Sequence, residues 1–137
     1  MTDLPNKADF ASVRDWVFDL DNTLYPHHVD LFAQIDKNMT AYVSALLGLS
    51  REDARALQKQ YYFDHGTTLN GLMIHHKIDP ADFLEKAHAI DYNVLSQDLP
   101  LGEAIQALPG RKFIFTNGSV KHAEMAARAL GIFHHFD

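Results

Sequence analysis

The chain has 137 residues, no cysteine and a net charge of -6, with 12 Lys and Arg against 18 Asp and Glu. The lack of cysteine excludes disulfides and thiolate metal sites and makes a reducing cytoplasm the expected setting. The acidic balance argues against nucleic-acid and membrane-surface binding, because both want a basic face.

Hydrophobic residues make up 47%, enough for a real core in one domain or in a small core with an insert. Residues 1–10 are too polar for a signal peptide, and no apolar run approaches membrane-spanning length.

The first element is a nearly continuous apolar run, Asp15–Leu20, of the kind that marks a strand buried on both faces. A long helical stretch follows. Val29, Phe32, Ile35, Met39, Tyr42, Val43 and Leu46 recur at helical spacing, and Gly48 supplies a stop. Ser50 with Asp53 resembles a capping box for a second helix reaching about Tyr62. Thr67 or Thr68 starts a third helix that runs through His76, and Asp79-Pro80 starts a fourth that runs to about Ala89. Leu101–Leu108 reads as a helix, and Pro109-Gly110 turns the chain into a second strand, Arg111–Thr116. Ser119 then caps a last helix that ends at Leu130 and Gly131.

A helix between two apolar strands predicts a parallel crossover. The stretch between the strands is too long for a plain connection. We therefore expect an α/β fold: a Rossmann-like parallel core from residues 1–25 and 100–137, with a helical cap, 26–99, inserted into it.

Chemistry concentrates where the strands run out. Asp19 and Asp21 lie two residues apart at the end of the first strand, and Thr116-Asn117-Gly118 ends the second. In open α/β sheets, ligands bind beyond the carboxyl ends of the strands. A hydroxyl, an amide and a glycine before a helix N-terminus suit a phosphate. The bland alternatives are ordinary ones: Asp and Asn also cap loops, and Thr-Asn-Gly alone reads as a turn.

Asp-Leu-Asp-Asn-Thr after one apolar strand and Thr-Asn-Gly after another, in this order and separation, resemble the haloacid dehalogenase superfamily of phosphohydrolases. The resemblance implies roles. Asp19 is the nucleophile that forms an aspartyl-phosphate, and Asp21 is the acid and base. Thr116, Asn117 and Gly118 hold the phosphoryl group. Mg2+ is bound by the Asp19 carboxylate and the Asp21 carbonyl. A second carboxylate favours an alkoxide leaving group, hence phosphatase or phosphomutase over dehalogenase.

The segments Tyr61–Leu69, Ile90-Asp91-Tyr92 and Leu108–Lys112 look like the pyrimidine 5'-nucleotidase branch, which implies a nucleoside monophosphate as the small phosphorylated partner. The family pattern also calls for a later lysine and a further acidic strand end. Lys121 does not match the first, and only Asp137 follows as an acid. The reading from sequence is therefore a truncated phosphatase, with a non-catalytic phosphate-binding or interaction relic, or a partner chain that supplies the missing half, as the rivals. Uncovered apolar surface would favour self-association.

The histidine pairs His27-His28, His75-His76 and His134-His135 chelate poorly as neighbours, because adjacent side chains diverge. His65 reads as a loop residue. The aromatics Phe32, Tyr42, Tyr61, Tyr62 and Phe63 read as core of the helical stretch, and Tyr25 as a seat for the cap.

Overall fold

The structure, a computed structural model, describes residues 4–137, so Met1–Asp3 of the polar opening segment lie outside the described residues. The fold is mixed α/β and mostly helical, with one two-stranded parallel sheet. The strands are β1, Asp15–Phe18, and β2, Arg111–Ile114. The helices are α1, Leu31–Leu47; α2, Arg51–His65; α3, Thr68–His76; α4, Pro80–Ala87; α5, Leu99–Ala107; and α6, Val120–Leu130. Among the described residues, no helix is long and apolar enough to cross a membrane. Two compact units emerge: residues up to Pro26 with Leu95–Asp137, and His27–Val94.

In the first unit β1 and β2 pair in parallel, with Asp15 opposite Arg111 and Phe18 opposite Ile114. Aromatic and β-branched residues suit this pleated surface. Both strands are two residues shorter than their apolar runs, and neither is buried on both faces. Val17 is 65% exposed, and Phe115, just past β2, is 72% exposed. The burial of β1 alternates instead, as in a strand with one covered face.

Gly110 has φ +100, and a Cβ there would come within 2.0 Å of the Arg14 carbonyl oxygen, so only glycine lets the chain enter β2 at this spacing. On the other side of β2, Asp137 donates its amide to the Lys112 carbonyl and accepts the Lys112 amide on its carboxylate, both at 2.8 Å. Leu20, Leu24, Tyr25, Leu95, Ile105, Ala126, Ala127, Leu130 and Ile132 are the buried hydrophobic residues of this unit, and His122 is buried with them.

The second unit is a set of four helices whose starts follow capping chemistry. Ser50, Thr67 and Asp79 side chains accept the amides of Asp53, Asn70 and Ala81, and Gly48 ends α1 in the left-handed region. Ile35, Val43, Ala54, Tyr61, Leu72, Phe83 and Ala87 build its core. Side chains of α1 close the unit on itself. Gln34 bonds the Asp91 carbonyl and amide at 3.2 and 2.9 Å, and Asn38 donates to the Ala87 and Ala89 carbonyls.

A polar network crosses α1 and α2. Buried Gln58 accepts from Thr40 at 2.5 Å and donates to Asp36 at 2.8 Å. Arg55 and Lys59 each reach Asp36 at 2.6 Å. Burial works to raise the Asp36 pKa, but the hydrogen bonds and charges of Lys59 and Arg55 outweigh it and hold the carboxyl below its ordinary value.

The linkage sign follows. A depressed folded pKa stabilises above the ordinary carboxylate value of about 3.9, and that stabilisation is lost as pH falls through the lowered value. Asp36→Ala also strands the buried Gln58 amide, so chemical denaturation should show a loss of about 1–3 kcal/mol at neutral pH that shrinks below about pH 4.

Candidate active site

The end of β1 is followed by a helical turn. Leu24 and Thr23 amides both bond the Leu20 carbonyl, and Asn22 takes φ 57, a left-handed position that asparagine tolerates better than most residues. This turn sets side chains four residues apart beside each other. Thr23 Oγ1 donates to Asp19 Oδ2 at 2.9 Å, and the Tyr25 hydroxyl donates to Asp21 Oδ1 at 2.7 Å. Asp19 is exposed, whereas Tyr25 is buried beneath the turn.

The end of β2 arrives beside it because the strand pairing carries on past Ile114. The Phe115 amide donates to the Phe18 carbonyl at 2.9 Å. Thr116 Oγ1 then lies 3.4 Å from Asp21 Oδ2 and accepts the Gly118 amide at 3.1 Å. Asn117 stands exposed at the tip of the loop. Ser119 caps α6 by accepting the His122 amide at 3.1 Å, so the positive end of the helix opens at this loop. The two loops named in the sequence thus meet at Asp21 and Thr116.

The structure adds two residues that the sequence reading gave no role, Thr23 and His122. It also gives Tyr25 a polar partner within the turn. His122, fully buried, sets Nε2 2.9 Å from Asp21 Oδ1. A sign was available for His122. It sits on the buried stripe of α6 with Ala126, Ala127 and Leu130, where one polar side chain needs a polar partner. For Thr23 and Tyr25 the sign is the four-residue spacing to Asp19 and Asp21, which matters only once the turn is helical.

Among the described residues, no cluster of three or more His, Cys, Asp or Glu side chains is disposed to hold a metal. Hard oxygens are present at the site nonetheless: the Asp19 and Asp21 carboxylates, the Asp21 carbonyl and the Thr116 hydroxyl. That set fits magnesium, which is often held by one or two carboxylates together with waters and substrate phosphate.

His65 is the last residue of α2 rather than a loop residue; its Nε2 meets His75 Nε2 of α3 at 3.0 Å, and the Tyr61 hydroxyl meets His76 Nε2 at 2.8 Å. A groove of about 500 Å³ lined by Tyr42, Leu46, Asp82 and Lys86 belongs to the helical unit and holds no comparable chemistry.

No family model matches the chain. Over 132 residues it is 29% identical to Phosphate metabolism protein 8 of Saccharomyces cerevisiae, an alignment covering 88% of this chain and 40% of that protein. The chain is therefore similar to a protein named for phosphate metabolism and spans about two-fifths of its length.

Exposure separates the two carboxylate environments in a testable way. Asp19→Asn should change stability by less than about 0.5 kcal/mol. His122→Ala, which empties a buried site and strips a donor from Asp21, should cost about 2–3 kcal/mol in thermal or urea unfolding.

Proposed function

We propose that this chain carries the site of a phosphate-monoester hydrolase that works through a covalent aspartyl-phosphate. The observation that carries the reading is the 3.4 Å approach of Asp21 Oδ2 to Thr116 Oγ1. It joins a carboxylate loop to a hydroxyl loop that opens a helix. Similarity to a phosphate-metabolism protein supports the same direction.

On this reading Asp19, the exposed carboxylate, attacks phosphorus. Thr23 holds Asp19 through Oδ2, which orients the attacking group. Asp21 protonates the leaving oxygen and then takes a proton from the water that hydrolyses the intermediate. Thr116, Asn117 and Gly118 bind the phosphoryl oxygens, aided by the N-terminus of α6.

A carboxylate and a phosphate oxygen about 4 Å apart repel by about 4 kcal/mol at an effective dielectric near 20, so the attack needs charge neutralised. Mg2+ held by the Asp19 carboxylate and the Asp21 carbonyl would supply that neutralisation.

The parallel strand pair is then part of a Rossmann-like core, and the helical unit is the cap that selects the substrate. Nucleoside 5'-monophosphates, pyrimidine ones first, are the substrate class we assign from the cap segments Tyr61–Leu69 and Ile90–Tyr92. Release of p-nitrophenol from p-nitrophenyl phosphate should require Mg2+ and stop with EDTA. Asp19→Asn should lower kcat by at least about 10³-fold. Saturable phosphate binding without turnover would overturn hydrolysis and leave a phosphate-binding module.

A further inference from the structure

Two donors fall on a single oxygen of Asp21. The Tyr25 hydroxyl reaches Oδ1 at 2.7 Å and His122 Nε2 reaches the same atom at 2.9 Å, while Oδ2 faces Thr116. With any proton of Asp21 on Oδ2, Oδ1 only accepts, so against it Nε2 is the N–H nitrogen of His122. A carboxylate oxygen offers about two lone-pair sites, and these two bonds fill both sites of Oδ1.

Both donors are rigidly seated. His122 is fully buried on the first turn of α6, and Tyr25 is 2% exposed beneath the β1 turn. Both follow Asp21 in the sequence, by four and by 101 residues, and belong to separate elements. The carboxylate is thus gripped from two separate elements.

We infer that His122 and Tyr25 are positioning residues that clamp Oδ1 of Asp21 and turn Oδ2 toward the phosphoryl loop, making Oδ2 the oxygen that exchanges protons. This rests on the phosphatase reading. In the first step the Asp19 oxygen–phosphorus bond forms and the ester oxygen–phosphorus bond breaks. The proton on Asp21 Oδ2 passes to the departing alkoxide, giving the alcohol. In the second, water adds to phosphorus, the Asp19 bond breaks, and the proton of that water returns to Oδ2. Neither His122 nor Tyr25 touches substrate. Each acts by holding a freely rotating carboxylate in one orientation.

The test uses Tyr25→Phe and His122→Gln, which keep most of the buried volume, assayed on p-nitrophenyl phosphate and on an alkyl phosphate. p-Nitrophenolate leaves without a proton, whereas an alkoxide needs one. The expected result is a fall in kcat/KM on the alkyl ester of about 10²-fold for Tyr25→Phe, with less than about threefold on the aryl ester. His122→Gln, which retains an N–H donor, should fall less than His122→Ala on the alkyl ester. A burst of p-nitrophenol in Tyr25→Phe, matching the enzyme concentration, would report the slowed second step.

Equal losses on both esters, or no loss on either, in an active wild-type chain would overturn the inference and leave the hydrolase reading intact. Absence of turnover in the wild-type chain would remove the hydrolase reading and this inference together.

Discussion

One backbone contact governs the site: the Phe115 amide on the Phe18 carbonyl, the last rung of the parallel pair. It carries the register of the ladder, Phe18 opposite Ile114, on to the turn after β1 and the loop after β2. A parallel pair sends both chains out of the sheet at the same end, so whatever follows each strand must share space. That is why a carboxylate and a hydroxyl distant in sequence lie 3.4 Å apart. Gly110 sets the same register at the opposite end, because its missing side chain lets the chain pass against Arg14.

Around that meeting point the two carboxylates live differently. Asp19 is exposed and held by one hydroxyl, whereas Asp21 is partly buried and gripped by a phenol and an imidazole. Environment rather than residue type thus distinguishes two acids only two positions apart. The grip depends on packing as much as on polarity, since Leu20 and Leu24 bury the turn that presents these residues.

Much of the local structure was legible because capping is local. Ser50, Thr67, Asp79 and Ser119 begin helices, and Gly48 and Gly131 end them, at the positions that hydrogen-bond chemistry assigns. The start of α5 was misplaced by two residues, because Asp98 followed by Leu99-Pro100 is itself a cap with proline in the first turn. The strands were read too long, since Leu20 and Thr116 are apolar or β-branched yet belong to turns that leave the ladder. Strand order places the two loops at the same edge, but does not give that Asp21 rather than Asp19 is the carboxylate that meets Thr116. The parts played by Thr23, Tyr25 and His122 were not legible either, because they depend on the helical turn and on which face of α6 packs inward. A periodicity pattern gives that face but not the partner awaiting it.

The clasp of Gln34 on Asp91 bears on how such a chain assembles. Strands β1 and β2 are separated by roughly 96 positions, a span whose closure costs about 4 kcal/mol in chain entropy before any rung forms. The four-helix unit relies on near-neighbour contacts and ties its own beginning to its own end. Once it has formed, the free tether joining the strands shortens to roughly 39 positions, about 19 before Gln34 and about 20 after Asp91, which eases closure by about 1 kcal/mol. Helices built on local contacts thereby act as a splint for the slow, long-range pairing, so the meeting point of the two loops is expected to take shape last.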